Sequence, residues 1–174
     1  MPSLVGSEMC IRDSLFINPY MTSFLGEFEC KLDAKSRFLL PSGLKKQLDP
    51  ACKEQFVMNR GFEGCLVLYP QNEWEKIASR LKKLNLFVSK NRAFYRQFHN
   101  GATAVSLDGN GRALIPKTLL AYAGLTKEAV LFAYADRIEI WSKDRYEEVM
   151  SQDSEDFADL AEEVMGGLEE EDGK

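Results

Sequence analysis

Two aspartates and two arginines recur at the same spacing in two similar ten-residue stretches. The first is Leu-Asp-Ala-Lys-Ser-Arg-Phe-Leu-Leu-Pro at residues 32–41, and the second is Leu-Asp-Gly-Asn-Gly-Arg-Ala-Leu-Ile-Pro at residues 107–116. At the offset of 75 residues, Asp33 and Arg37 coincide with Asp108 and Arg112. A guanidinium offers several N–H donors in a planar fork. Repetition at a fixed offset predicts one small unit built twice, each copy presenting one arginine.

The second stretch indicates how these residues are positioned. Asp-Gly-Asn-Gly between apolar runs is a strong hairpin-turn signal, and the aspartate can fold back onto the turn amides. Arg112 then begins the second strand of the hairpin. The arginine could merely pair with its own aspartate across the turn, or the aspartate could orient a guanidinium that keeps spare donors for a partner. Duplication in register favours the second interpretation, and both can hold together.

Length and composition indicate a globular protein with a substantial core. The chain has 174 residues, 45% of them hydrophobic, and contains no apolar run near the 18 residues that a membrane span requires. Residues 1–20 resemble no signal peptide, because Glu8, Arg12 and Asp13 interrupt any apolar region. We interpret residues 1–20 as a non-native or disordered leader, similar to a translated sequencing adapter, with Met21 as the start.

Cysteine and histidine usage argues against a metal site or a catalytic centre. The four cysteines stand at positions 10, 30, 52 and 65, a spacing that matches neither a redox pair nor paired zinc ligands. The single histidine, His99, lacks neighbouring ligands and is interpreted as a helix-end residue. We therefore predict reduced thiols in a cytoplasmic protein that is not an enzyme and uses no cofactor and no metal.

Charge is distributed unevenly along the chain. Ten of the 27 acidic residues but one of the 22 basic residues lie at 151–174, so the preceding residues carry a formal charge of +4. An acidic tail on a basic body is typical of nucleic-acid binders, where the tail can compete with phosphates, but it also suits a plain solubilising terminus. Residues 76–107 contain seven basic and no acidic side chains, which suits either a nucleic-acid face or a solvated helix surface.

The elements that position the two turns follow in the same order in each copy. We predict a first unit at 26–74, a helical connector at 75–101, a second unit at 102–147 and the acidic tail at 151–174. Four short strands cannot bury two faces alone, so the copies should share one body. The predicted fold class is α+β, mainly β, with two tandem units and short helices forming one pseudo-twofold, double-layered β body.

The predicted boundaries follow from hydrophobic alternation, prolines and glycines. The predicted strands are 27–32, 38–40, 56–58, 65–69, 102–107, 113–115, 130–134 and 137–141. The predicted helices are 42–48, a helix capped by Asn72 with Glu75 at its third position, 90–99, 116–123 and a last helix capped by Ser142.

Several motifs in order resemble the MraZ family of bacterial transcriptional regulators. They are the duplicated Asp-x-x-x-Arg turn, Gly-Phe-Glu-Gly-Cys-Leu-Val-Leu-Tyr-Pro at 61–70, Glu-Trp-Glu at 73–75 and Gly-Ala-Thr-Ala-Val at 101–105. The resemblance covers residues 24–150 and implies units of the SpoVT/AbrB type, which are swapped-hairpin β structures. One departure is Ser36, where the first turn usually has glycine, so we expect a differently shaped first turn.

The resemblance implies a sequence-specific DNA-binding regulator of the division and cell-wall gene cluster, including its own promoter at short direct repeats. It also implies ring-like homo-oligomers and a location in the cytoplasm at the nucleoid. By position, the DNA-facing residues are Asp33 and Arg37, with Asp108 and Arg112. We predict that nearby residues contact phosphate: Lys35, Asn110, Lys31 and Lys117.

Two rival functions use the same turns without enzyme chemistry. A structural assembly protein would use the aspartates and arginines as bridges between subunits. An antitoxin-like repressor would bind DNA as a dimer and block a toxin with its tail, although such proteins usually carry one unit. The sequence leaves open the operator, the sign of regulation, the subunit number and the role of the tail.

Overall fold

The computed structural model describes residues 23–152 and 157–172, with side chains up to residue 168. Its strands are β1 (Phe24–Lys31), β2 (Arg37–Leu39), β3 (Gln55–Arg60), β4 (Leu66–Pro70), β5 (Thr103–Ser106), β6 (Arg112–Leu114), β7 (Glu128–Ala135) and β8 (Arg137–Ser142). Its α-helices are α1 (Ser42–Lys45), α2 (Gln71–Leu81), α3 (Ser89–His99), α4 (Lys117–Tyr122), α5 (Lys143–Gln152) and α6 (Phe157–Asp172). Two short 3-10 turns lie at Pro50–Cys52 and Phe62–Gly64. The interpretation of residues 1–20 lies outside the described residues.

The strands of the two copies are interlaced rather than folded into separate sheets. A six-stranded antiparallel sheet has the order β1-β7-β8-β4-β3-β5, and β2 pairs with β6 in a separate two-stranded ribbon. The first strand of each copy therefore pairs with the third strand of the other, β1 with β7 and β5 with β3. This reciprocal exchange confirms the α+β class with two tandem swapped units related by a pseudo-twofold.

The ribbon packs on one face of the sheet and closes the main core. Phe38 and Ala113 are the inward residues of the ribbon, and both are fully buried. They pack with the sheet residues Leu66 and Leu68, while α1 and α4 complete the same core. Alternation along β2 and β6 therefore places every second ribbon side chain, including both arginines, on the outward face.

Helices cover part of the opposite face of the sheet. Val67, Tyr69 and Trp141 form a second buried cluster there, against which α2 and α5 pack through partly buried apolar side chains. The two faces of β4 are thus both covered, which explains the near-continuous hydrophobic run at residues 65–69. Among the described residues, no helix is long and apolar enough to cross a membrane.

Two local predictions about helix ends were wrong. Asn72 does not cap α2, because the helix already begins at Gln71 with Pro70 at the capping position and no side-chain cap. The first helix ends at Lys45 rather than at residue 48, since the following amides of Gln47 and Leu48 bond three residues back, as in a 3-10 turn. Other boundaries differ by one to three residues, the largest difference being the start of β1 at Phe24.

Candidate nucleic-acid interface

Each Asp-x-x-x-Arg turn is held by its aspartate in the same way. One carboxylate oxygen of Asp33, Oδ1, accepts hydrogen bonds from the backbone N–H groups of Lys35 and Arg37, both at 2.9 Å. The other oxygen accepts from Nε of Arg37 at 2.8 Å. The aspartate therefore fixes both the backbone of the turn and the direction of the arginine side chain.

The second turn repeats these contacts. Asp108 Oδ1 accepts from the N–H groups of Asn110 and Arg112 at 2.9 Å, and Oδ2 accepts from Nε of Arg112 at 3.1 Å. The backbone donors, that of the arginine first, hold the pKa of Asp33 and of Asp108 below the usual range. Both carboxylates are therefore ionised at neutral pH and remain acceptors only.

Pairing of β2 with β6 brings the two turns together. Arg37 lies opposite Leu114 and Arg112 lies opposite Leu39, so the guanidinium groups sit diagonally on one outward face. Nη1 of Arg37 is 3.7 Å from Oδ2 of Asp108, and Nη1 of Arg112 is 3.7 Å from Oδ2 of Asp33. Four alternating charges thus form one crossed cluster, the arginine cluster, at the centre of the ribbon.

The arginine cluster remains accessible from solvent. The side chains of Arg37 and Arg112 are 25% and 30% exposed. Across the described part of the chain, each guanidinium makes its hydrogen bond through Nε, and the Nη1 contacts at 3.7 Å are too long to be hydrogen bonds. Each arginine therefore pairs with the aspartate of its own turn and still keeps donors for a partner, so the two interpretations from the sequence hold together.

The expected difference in shape between the two turns was wrong. Ser36 adopts a left-handed conformation with φ 61°, as does Gly111 with φ 76° at the equivalent position. The closing hydrogen bonds match: Ser36 N–H donates to Asp33 O at 3.0 Å and Gly111 N–H donates to Asp108 O at 2.9 Å. The contacts of Asp33 hold a serine where glycine is preferred, so the first turn keeps its shape under strain.

This strain gives a testable prediction for a matched pair of variants. Ser36→Gly is expected to raise the free energy of unfolding by about 0.5–1 kcal/mol, because glycine adopts positive φ without a steric cost. Gly111→Ser is expected to lower it by a similar amount. Urea denaturation followed by circular dichroism measures both. A decrease in stability for Ser36→Gly would show that the left-handed conformation carries no strain.

The predicted phosphate contacts all lie at the surface, but not all of them lie beside the ribbon. The described structure exposes all four predicted phosphate contacts: Lys31, Lys35, Asn110 and Lys117. Lys35 and Asn110 lie at the tips of the two turns, whereas Lys31 ends β1 and Lys117 begins α4. Lys31 is on the same face of β1 as Glu29, which pairs with Lys143 of α5, and it lines a surface cavity with Lys143, so its side chain lies on the side of the sheet away from the ribbon. The prediction that Lys31 lies beside the two turns was therefore wrong.

Three residues of this surface were missed from the sequence. Leu39 and Leu114 lie beside the arginines on the outward face and are both more than half exposed. Lys45 reaches the second turn, since its Nζ lies 3.9 Å from where a Cβ on Gly111 would stand. The alternation of side chains along a strand could have predicted the leucines, because each lies two residues after an arginine.

The other titratable candidates form no reactive group. Cys30, Cys52 and Cys65 are free thiols, and burial raises the pKa of Cys30 to about 11 and that of Cys65 to about 12. His99 ends α3, where its Nδ1 lies 2.9 Å from the carbonyl oxygen of Tyr95. Within residues 23–152 and 157–172 no group of three or more potential ligands could hold a metal ion.

Comparison with known proteins agrees with the doubled architecture. A family model described as "MraZ protein, putative antitoxin-like" matches the chain twice, at residues 23–97 and 98–166. The chain belongs to the MraZ family. The first match begins one residue before β1 and the second begins near the end of α3, five residues before β5, so the duplication seen in the turns extends over both copies.

Curated MraZ relatives match over most of their length. A protein of Christiangramia forsetii is 50% identical over 147 residues, covering 84% of this chain and 95% of the relative. A protein of Flavobacterium psychrophilum is 45% identical over 152 residues, covering 87% and 97%. A protein of Cytophaga hutchinsonii is 44% identical over 151 residues, covering 87% and 100%. All three are named "Transcriptional regulator MraZ".

Proposed function

We propose that this MraZ-family chain is a sequence-specific DNA-binding transcriptional regulator of the cytoplasm, acting at the nucleoid. The observation that supports this function most is the arginine cluster, in which two equivalent guanidiniums share one outward face and, among the described residues, make no hydrogen bond through their terminal nitrogens. A two-stranded ribbon is narrow enough to enter the major groove of DNA. Each arginine can then donate to O6 and N7 of a guanine.

The aspartates have a positioning role in this recognition. Asp33 and Asp108 hold Nε of the arginines, so each fork reaches the bases already oriented and less rotational freedom is lost on binding. The crossed ion pairs at 3.7 Å are long and lie at the surface, so a base edge can replace them. Lys35 and Asn110 at the turn tips, together with Lys117, contact phosphate and fix the register of the ribbon on the duplex.

A single ribbon offers few base contacts, so affinity needs repetition. We infer a ring-like homo-oligomer that presents several ribbons to short direct repeats. Once one ribbon is bound, the next contact is intramolecular and gains a high effective concentration. The sites are proposed to lie upstream of the division and cell-wall gene cluster, including the promoter of this protein's own gene.

The exposed leucines favour a second candidate function. Leu39 and Leu114 are apolar side chains on the same face as the arginines, and such residues also suit a contact between subunits. A structural assembly protein would use the ribbon for that contact and would not require DNA. This candidate predicts that changing an arginine of the cluster dissociates the oligomer.

Sequencing of bound DNA tests the proposed function. Full-length protein is incubated with fragmented genomic DNA of its source at about 150 mM salt, recovered, and the bound fragments are sequenced. We expect enrichment of a few fragments that share a short direct repeat. One of these fragments should be the region upstream of the protein's own gene. Fragments recovered without sequence preference would contradict sequence-specific binding.

A further inference from the structure

An aromatic groove lies on the face of the sheet opposite the ribbon. Its cavity of about 380 Å³ is lined by six aromatic side chains: Phe62, Tyr69, Phe94, Phe98, Tyr122 and Tyr134. Val67 and Tyr69 belong to the floor, whereas the ribbon packs on Leu66 and Leu68 of the same strand. Alternation along β4 therefore places the groove and the arginine cluster on different sides of the molecule.

The groove carries a cation that lacks an acidic partner in the described structure. Arg60 lies with its guanidinium carbon 4.9 Å from the ring centroid of Tyr122, and its buried Nε has no hydrogen-bond partner there. The two acidic groups nearby are already engaged. Glu139 accepts from Tyr134 and Trp141, and Asp136 pairs with Arg137 at 2.8 Å. An incoming carboxylate would therefore find Arg60 available.

The C-terminal helix α6 has the complementary character. Its apolar side chains recur at helical spacing and are all 49–69% exposed: Phe157, Leu160, Val164, Met165 and Leu168. At 100° per residue they fall on one side, with Glu162 and Glu163 next to the two edges of that side and Asp159 opposite. The apolar stripe of α6 is thus uncovered, and its flanks are acidic.

The sequence of α6 gives the helix little stability of its own. Gly166 and Gly167 lie in its interior, and each costs about 1 kcal/mol relative to alanine. A 16-residue helix is near the length at which isolated helices are marginal in water. Most of the stability of such a helix comes from packing of its apolar face, so α6 is expected to dock on another surface.

We propose that α6 of one copy docks into the aromatic groove of a second copy. Its apolar stripe would pack on Phe62 and Phe94 at the rim, and the carboxylates at the edges of that stripe would approach Arg60. Within one chain, Phe62 and Phe94 of the groove and the apolar side chains of α6 are all exposed, so α6 does not cover the groove of its own chain. This favours a neighbouring copy as the occupant.

Tail-to-groove docking is a heterologous contact, which closes into rings when the rotation between copies allows. The inference deepens the homo-oligomer part of the proposed function and assigns a role to the acidic tail. It does not depend on the contact with DNA, because the ribbon stays open on the other side of the sheet.

Photo-crosslinking in the full-length chain tests this docking. Val164 is replaced by the photo-crosslinking amino acid p-benzoylphenylalanine. Equal amounts of ¹⁴N- and ¹⁵N-labelled protein are combined into mixed oligomers, and native mass spectrometry verifies the mixing. After irradiation, the crosslinked peptides are identified by mass spectrometry. Crosslinks of mixed isotopic composition between residue 164 and peptides containing Phe62, Phe94 or Tyr122 are expected. Residues 86–88 form an exposed apolar segment outside the groove and are the rival docking surface. A monomeric protein, single-isotope crosslinks only, or crosslinks to the ribbon or to residues 86–88 would overturn the docking.

Two groove variants and a matched control sharpen the test. Phe94→Asp and Arg60→Glu are expected to lower the yield of mixed crosslinks about tenfold, the effect of losing one anchor contact. Phe87→Asp is the control, because Phe87 is 97% exposed and lies outside the groove. Circular dichroism verifies that each variant is folded. A loss of yield in the control alone would identify residues 86–88 as the contact and reject the groove.

Variants also separate failure of this docking from failure of the proposed function. Arg112→Ala should leave the crosslinks unchanged while specific DNA binding is lost. Absent groove crosslinks with intact specific DNA binding would reject the docking alone, and the reverse pattern would reject DNA recognition alone.

Discussion

The variant Arg112→Ala is expected to lose specific DNA binding in a gel-shift assay while its elution in size-exclusion chromatography stays unchanged. The substitution removes one base-reading fork and leaves Asp108 and Asp33 without the cation that lies 3.1 Å and 3.7 Å from them. Their charge would then repel the phosphates of DNA. A bidentate arginine–guanine contact contributes about 1–3 kcal/mol, or roughly 5- to 150-fold in affinity. Because the loss recurs in every copy of an oligomer, the total effect should exceed that of one contact.

Two control variants separate charge from geometry. Arg145→Ala removes an exposed arginine of α5, on the face of the sheet opposite the ribbon, and should leave binding intact. Arg112→Lys keeps the charge but lacks the planar fork, so weak binding without sequence preference is expected. Unchanged specific binding by Arg112→Ala would reject the role of the arginine, and dissociation of the oligomer would favour the assembly function.

The variant Phe38→Ala is expected to lower the free energy of unfolding by about 3–5 kcal/mol, because it removes a large side chain from a closed core. Phe38 is 0% exposed and is the inward residue between Arg37 and Leu39, so it anchors the ribbon on the sheet. Urea denaturation of the full-length protein measures the change, and the variant should also bind DNA less well at temperatures where the ribbon loosens.

The adjacent residue provides the control for this variant. Leu39 is 57% exposed on the outward face, so Leu39→Ala should change the free energy of unfolding by less than about 0.5 kcal/mol. Similar losses for both variants would mean that the ribbon does not pack on the sheet as described.

The turns were predictable because their information is local. An aspartate that can bond amides two and four residues ahead, followed by an arginine at a strand start, specifies one turn regardless of the rest of the chain. The same contacts explain why the prediction for Ser36 is wrong. Backbone strain at one residue predicts a distorted turn, whereas the three hydrogen bonds of Asp33 hold the turn in shape.

The interlacing of strands and the cross-turn contacts depend on pairing between distant segments. Alternation shows which face of β1 is buried but not that its partner is β7 rather than a strand of its own copy. Only the register of β2 on β6 sets Arg37 at 3.7 Å from Asp108. The aromatic groove likewise combines residues from 60 to 139, a proximity that local patterns do not contain.

Substitution of single guanines by 7-deazaguanine in the DNA repeat recovered with this protein tests base recognition by the two arginines most directly. Removing N7 deletes one charge-assisted hydrogen bond, so affinity should fall about tenfold at two guanines of each repeat unit. At low salt, where weak binding by the Arg112→Ala protein becomes measurable, the guanine read by Arg112 should become insensitive and the guanine read by Arg37 should still respond. If no guanine responds, or if both still respond in that variant, the ribbon arginines do not read the bases.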